Sequence, residues 1–182
     1  MITLTELEQL YKTRQSCRSF QAGKSVSREQ IESICKAALL APSACNAQPW
    51  KLVAVVNDKA KELAKCLQDM GMNKFVSDAP VLIAVVAAKS NLTATVGGKL
   101  KDNDFTSNDL GILTAHLILA AEAAGLSTCI LGWRNESKIC KVLSLPKGTR
   151  IPEVIALGYA AEGYEIRPKK RKDFTDTLQI IE

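Results

Sequence analysis

Two guanidinium groups flank a hydroxyl in Arg14-Gln-Ser-Cys-Arg18. Arginine forks grip phosphate oxygens in pairs and a serine adds one more donor, so this run suits a phosphate. A second stretch, Ala41-Pro-Ser-Ala-Cys-Asn-Ala-Gln-Pro-Trp50, lies between an apolar helical pattern and the strand-like Lys51-Leu-Val-Ala-Val-Val56. Its small residues let the backbone come close to a flat ligand. Asn46 and Gln48 offer donors and acceptors, and Pro42 and Pro49 stiffen the turn. A third run, Arg167-Pro-Lys-Lys-Arg-Lys172, reads either as a solvated charged tail or as further cations for a phosphate.

The R-x-S-x-R run followed by A-P-S-x-x-N-x-Q-P-W resembles the FMN-dependent nitroreductase family. The resemblance covers nearly the whole chain and implies one domain, residues 1–182, of the α+β class: a nitroreductase-like fold with a central, mostly antiparallel sheet flanked by helices, in an intertwined homodimer. It implies FMN as cofactor, with NADH or NADPH as co-substrate and active sites at the subunit interface. By that likeness Arg14, Ser16 and Arg18 take the phosphate and ribityl side. Lys169 and Arg171 add a basic-x-Arg pair near the C-terminus, where Lys170 can replace Lys169. Pro42, Ser43, Ala44 and Asn46 match the segment that reaches FMN from the other subunit, while Gln48, Pro49 and Trp50 hold the turn.

Leu126-Ser-Thr-Cys-Ile-Leu-Gly132-Trp133 resembles the family's G-L-x-T-C-x-x-G run. That likeness assigns Ile130, Leu131 and Gly132 to the dimethylbenzene and N5 side of the flavin. Asn73, with Lys74, is the candidate for the pyrimidine edge. No protein nucleophile is needed: hydride passes from NAD(P)H to flavin N5 and on to a nitroaromatic, quinone or related acceptor in a ping-pong cycle. Arg18 is the candidate for stabilising negative charge at the N1–O2 edge. A flavin reductase, ene-reductase or dehalogenase is a variant of the same reading. A flavin-binding redox sensor without turnover and a basic nucleic-acid-binding module are rivals of other classes.

The elements that must carry these residues are legible from pattern. Thr3-Leu-Thr-Glu6 and Ser27-Arg-Glu-Gln30 read as capping boxes opening two helices, the first fading near Arg14. A helix is expected from Asp58 to about Gly71. The continuous apolar run Val81–Ala88 reads as a buried central strand. Residues 89–106, with Gly97, Gly98, Lys99, Lys101 and Asp102, read as a surface excursion. A buried helix is expected from Ser107 or Asn108 to Gly125, with Asp109 near its start favouring the helix dipole. Ser127–Leu131 and Pro152–Ala160 read as strands and Glu136–Leu143 as a short helix. His116 reads as a core or interface histidine. The apolar end, with Leu178, Ile180 and Ile181, is expected to pack on something, a second subunit included.

Composition narrows the classes. The chain has 182 residues, 47% of them apolar, enough for one core. No apolar run is long enough to span a bilayer, so no membrane partner is expected. The acidic, amphipathic Met-Ile-Thr-Leu-Thr-Glu-Leu-Glu start is unlike a signal peptide, which points to a cytoplasmic protein. Net charge is +5, but aromatic residues are only 5%, so there is little on which to stack bases and no nucleic-acid partner is expected. Six cysteines form no C-x-x-C pair and one histidine is present, a poor set for a metal. Free thiols packed as small hydrophobes, Cys45 included, are the expectation.

Overall fold

The computed structural model of the chain describes residues 1–89, 91 and 103–182. Thr3 and Ser27 each open a helix by the reciprocal bonding their spacing predicts. The Glu6 N–H donates to Thr3 Oγ1 (3.2 Å) while the Thr3 N–H donates to the Glu6 carboxylate (2.7 Å), starting α1 (Leu4–Thr13). Ser27 and Gln30 repeat the exchange at 3.2 and 3.1 Å to start α2 (Arg28–Ala38). Arg14 is the C-terminal cap of α1. The phosphate candidates therefore begin where the helix stops.

Four strands follow: β1 (Trp50–Val56), β2 (Val81–Ala87), β3 (Ser127–Leu131) and β4 (Glu153–Gly158). They form one antiparallel sheet in the order β1-β2-β4-β3. β2 and β4 are interior, which explains the unbroken apolar runs 81–87 and 154–157, because each face meets its own core. Leu82, Ala84, Val86, Val154 and Ala156 pack towards α3 (Asn57–Lys65) and α5 (Glu136–Val142). Ile83, Val85, Ile155 and Leu157 pack towards α2 and the long α4 (Phe105–Ala123). The result is the expected α+β arrangement, with helices on both sides of an antiparallel sheet. At Gly158 the layers meet so closely that a Cβ would lie 2.6 Å from Pro80 Cδ and 3.1 Å from Phe20 Cδ1.

Several boundaries depart from the sequence reading. The helix expected to reach Gly71 stops at Lys65. Met70 and Gly71 adopt left-handed backbone (φ 59° and 75°), and Asp69 is drawn instead into bonds with Asn135 (3.1 Å) and Lys138 (2.9 Å). Helix α4 starts at Phe105, ahead of the expected Ser107, because Asp104 caps it through the Ser107 N–H (3.0 Å). Gly97, Gly98, Lys99, Lys101 and Asp102 lie outside the described residues. His116 is exposed rather than in the core, its Nδ1 set 2.9 Å from the Ile112 carbonyl one turn earlier. Cys17, Cys66, Cys129 and Cys140 are buried as free thiols, but Cys45 is exposed. Among the described residues no helix is long and apolar enough to cross a membrane.

Candidate active site

Beyond α1 the chain runs along the open edge of the sheet. Ser16 makes a parallel bridge with Thr128, and the Cys17 N–H donates to the Thr128 carbonyl (2.8 Å). Farther on, the Gln21 N–H donates to the Tyr159 carbonyl (2.9 Å) and Phe20 bridges Ala160. β3 would otherwise present an unpaired edge, so this stitching both covers it and fixes Arg14, Ser16 and Arg18 beside it. Tyr164 reinforces the placement: its hydroxyl accepts from the Arg18 N–H (3.0 Å) and donates to the Ser16 carbonyl (3.4 Å).

The C-terminal segment returns to the same place. Arg167 donates through Nε to Gln15 Oε1 (3.0 Å) and through Nη2 to the Ser16 carbonyl (2.7 Å). The Gln15 amide donates in turn to the Glu165 carbonyl (2.9 Å), and Lys169 Nζ donates to the Arg14 carbonyl. These bonds close a cleft of about 460 Å³ lined by Arg14, Gln15, Ser16, Arg18 and Arg167 to Arg171. Five of the predicted phosphate residues, Arg14, Ser16, Arg18, Lys169 and Arg171, thus line one cavity although more than 150 residues separate the two sets. Lys170 lines it as well, so the two lysine choices open in the sequence are both at hand. Burial first, then the positive charge of Arg14 and Arg171, holds the Lys169 ammonium below its ordinary lysine value. An anion in the cleft would relieve that repulsion.

The sequence reading gave Gln15 no role and took Arg167 only as part of the basic run. Their pairing joins residues 152 apart in the chain, and no local pattern announces it.

From Thr128, beside Ser16, β3 leads to Gly132, roughly 13 Å along the strand at about 3.3 Å per residue. Leu131 is buried, whereas Ile130 and Gly132 are exposed. Ile130 pairs with Ile155 on the sheet face that carries α4. The Gly132 carbonyl accepts from Arg134 Nη1 (2.6 Å), and Arg134 is itself paired with Glu136 (3.0 Å). Asn73 sits in left-handed backbone (φ 52°) and donates its amide to the carbonyls of Leu67 (3.1 Å) and Trp133 (3.4 Å). It locks the 67–78 segment against the Gly132–Trp133 turn, and Trp133 Nε1 donates to the Asp69 carbonyl (3.0 Å) beside it. Of Asn73's side-chain atoms, Oδ1 is the one left to meet a ligand.

Pro42, Ser43, Ala44 and Asn46 do not line the cation cleft. Their loop contains a 3₁₀ turn (Ala44–Asn46), and Cys45, Asn46 and Gln48 all have left-handed backbone (φ 51°, 49° and 46°). Non-glycine residues resist that conformation, so the loop must be held. The Gln48 N–H donates to Ser43 Oγ (2.9 Å) and the Gln48 amide to Asn46 Oδ1 (3.1 Å). Asn91 Nδ2 donates to the Cys45 carbonyl (3.1 Å). Most telling is Asp109, 4% exposed in α4, whose Oδ1 accepts the Ala44 N–H (3.0 Å). Its position near a helix start suggested a charge–dipole role. It stands a full turn into α4, and it latches the loop.

A cation cleft lies at the edge of a helix-flanked antiparallel sheet, with a glycine-ended strand leading away from it, and its donor set can take a phosphorylated ligand. The chain belongs to the Nitroreductase family, whose profile matches residues 11–71 and 65–159. A protein of Archaeoglobus fulgidus that bears the name NADH dehydrogenase/NAD(P)H nitroreductase is 32% identical over 172 residues, covering 92% of this chain and 88% of its own. An FMN-dependent nitroreductase from Clostridium difficile R20291 shares the architecture with a TM-score of 0.70 at 25% identity, over 94% of this chain and 96% of its own. A nitroreductase-like protein from Streptococcus mutans matches the fold with a TM-score of 0.84 at 20% identity, over 98% and 99% of the two chains.

Proposed function

We propose that this chain binds FMN and works as a homodimeric NAD(P)H-dependent oxidoreductase reducing nitroaromatic, quinone or related acceptors. The observation that carries the reading is the convergence of Arg14, Ser16 and Arg18 with Lys169 and Arg171 in one cleft. The donor set fits a phosphate monoester, whose oxygens accept charge-assisted bonds from guanidinium, ammonium and hydroxyl groups. Gly132 lies farther along β3 from the cleft, exposed and without a side chain, where a planar ring can lie against the backbone. When bound, FMN supplies a two-electron carrier that takes hydride at N5 and delivers it to the acceptor.

The protein's part is to anchor, orient and polarise. Arg14 and Lys169 are half-buried in the phosphate cleft, and Arg171 and Arg18 line it as exposed residues. Arg18 also supplies positive charge towards the pyrimidine edge. Asn73 offers Oδ1 to that edge while fixing Trp133. Ile130 gives the ring an apolar face beside β3. The nicotinamide and the acceptor use one face in turn, which makes the cycle ping-pong.

The 43–46 loop completes the pocket from a second copy of the chain. Helix α1 has no buried residue, and Phe174, Ile180 and Ile181 of the tail are 72%, 76% and 85% exposed. Helix α4 turns Ile112, Ala115 and His116 outward. Apolar surface of that extent belongs to an interface.

Replacing Arg14 and Arg171 together by alanine tests the phosphate assignment. Loss of charge-assisted bonds worth about 1.5–3 kcal/mol each predicts flavin affinity lower by a hundredfold or more. A double variant that purifies with a full complement of FMN refutes the assignment. Asn46→Ala should lower flavin content and turnover while the flavin-free chain still folds. Steady NAD(P)H consumption with a quinone or nitroaromatic separates the enzyme from a flavin-binding sensor.

A further inference from the structure

The turn that leaves β3 has its acceptors tied and its donors open. The Gly132 carbonyl accepts from Arg134 Nη1 (2.6 Å) and the Trp133 carbonyl from Asn73 Nδ2 (3.4 Å). The N–H groups of Gly132 and Trp133 have no acceptor among the described residues. The Gly132 carbonyl and the Trp133 N–H belong to one planar trans peptide, so fixing the oxygen turns the N–H to the opposite side. A cationic donor on the oxygen also polarises that peptide and makes the N–H a stronger donor.

Arg134 is itself immobilised. Its guanidinium donates through Nε to the Ile151 carbonyl, through Nη1 to Gly132 and through Nη2 to Glu136 Oε1 (3.0 Å). Glu136, the first residue of α5, is held as firmly. Its Oε1 also accepts the Ile151 N–H (3.0 Å), and its Oε2 accepts from Arg150 Nη1 (2.7 Å). Ile151 is fully buried, so the pair is anchored in the core just ahead of β4. Among the ion pairs of the described residues, this is the one in which both side chains are less than a quarter exposed, at 18% and 23%. A planar fork held at three points has one orientation, which the point charge of a lysine does not reproduce.

Holding the turn does not require this fork. The Asn135 N–H already donates to the Cys66 carbonyl (3.0 Å), the Asn135 amide to Asp69 (3.1 Å) and Trp133 Nε1 to the Asp69 carbonyl (3.0 Å). What Arg134 adds is the direction and polarity of one peptide.

We infer that Arg134, braced by Glu136, is a positioning residue for the redox step, aiming the Gly132–Trp133 peptide with its N–H towards the edge of the flavin ring, where negative charge gathers on reduction. Arg134 has this role only through the flavin reading, which puts the ring beside Gly132. Neither Arg134 nor Glu136 lines the cation cleft, so binding of the phosphate end and positioning at the ring can be separated by experiment.

Four variants, Arg134→Gln, Glu136→Ala, Glu136→Gln and Arg150→Gln, are compared with the parent after loading with FMN, and all should take up a full complement. In Arg134→Gln and Glu136→Ala the visible flavin band should shift and the midpoint potential become more negative. Stopped-flow reduction at saturating NAD(P)H should slow about tenfold or more in both, while the reductant concentration giving half the maximal rate stays within about threefold. Glu136→Gln keeps an oxygen for Arg134 and the Ile151 N–H and should recover most of the rate. Arg150→Gln removes only the 70%-exposed outer cation and should leave band and rate as in the parent. A pair that only stabilises the turn would lower the thermal midpoint and move neither band nor potential, and that result in Arg134→Gln overturns the assignment. Equal losses in Glu136→Gln and Glu136→Ala overturn it too, because the carboxylate's charge rather than its hold on Arg134 would then matter. If Arg134→Gln does not fold, Arg134→Lys keeps the charge without the fork: reduction slowed about threefold or more supports the assignment and a parental rate refutes it. Loss of FMN from Arg134→Gln refutes positioning in favour of binding. A parent chain that takes up no FMN ends the flavin reading itself, and the role of Arg134 with it.

Discussion

Asp109→Ala isolates the latch on the 43–48 loop. Three residues of that loop, Cys45, Asn46 and Gln48, have left-handed backbone. The conformation costs a non-glycine residue about 1–2 kcal/mol, less for asparagine, so the loop carries about 2–4 kcal/mol of strain in all. No single net hydrogen bond, at about 1 kcal/mol, holds that. The loop stays closed because several bonds act together, and among the described residues only Asp109 ties it to a helix of the core. Removing its carboxylate leaves the Ala44 N–H without an acceptor, a loss of about 1–3 kcal/mol. The same change removes Oδ2, which is buried with no partner among the described residues, and that offsets part of the loss. A net cost of about 1–2 kcal/mol predicts FMN affinity lower by about five- to thirtyfold, because binding must now also order the loop. Asp109→Asn keeps Oδ1 and should restore most of the affinity. Flavin fluorescence quenching gives the affinities, and urea unfolding of the flavin-free variants separates loop release from loss of the core. If the alanine variant binds FMN like the parent, or the asparagine variant is no better than alanine, the latch argument is wrong.

Other perturbations have defined outcomes. Cys45→Gly relieves one left-handed residue and should raise stability by about 0.5–1 kcal/mol in urea unfolding once the greater freedom of glycine in the unfolded chain is subtracted. Gly158→Ala forces a methyl against Pro80 and should cost about 1–3 kcal/mol, read as a lower thermal midpoint. The Lys169 ammonium is held below its ordinary value by burial and by Arg14 and Arg171, so a bound anion raises it again. Phosphate-end affinity should therefore be full while Lys169 is protonated and fall as pH climbs from its depressed value through the ordinary lysine range near 10.4; calorimetry with FMN should show proton uptake there, and Lys169→Arg should flatten the dependence. Burial raises the thiols of Cys17, Cys35, Cys66 and Cys129, so a maleimide should label exposed Cys45 first, and mass spectrometry should show that FMN slows the labelling.

What could be read from the sequence and what could not divides by the range of the interactions involved. The two capping boxes, the Gly125 end of α4 and the apolar strands depend on neighbours within a few residues, and each lies within a residue or two of its expected place. The helix expected to reach Gly71 broke because Asp69 has partners in Asn135 and Lys138, more than sixty residues away, and local propensity gave way to them. The roles of Asp109, Gln15 and Arg167 were hidden for the same reason. The strand order shows how such distant pairs come to build a site. Because β4 inserts between β2 and β3, β3 is left at an edge, where residues 16 and 17 pair with it. The arginines on either side of that patch are thereby fixed at the open edge, and the basic tail that leaves β4 next door returns to them through Gln15. Moving β3 to the interior would separate the two cation sets whatever their sequences were. The cleft is thus a product of sheet topology as much as of its arginines and lysines. Loosening the tail's tie to that edge, with Gln15→Ala to remove one of the two groups that hold the Arg167 side chain, should weaken phosphate binding even though every cation is still present. Unchanged FMN affinity in that variant would show that the cations hold the cleft by themselves.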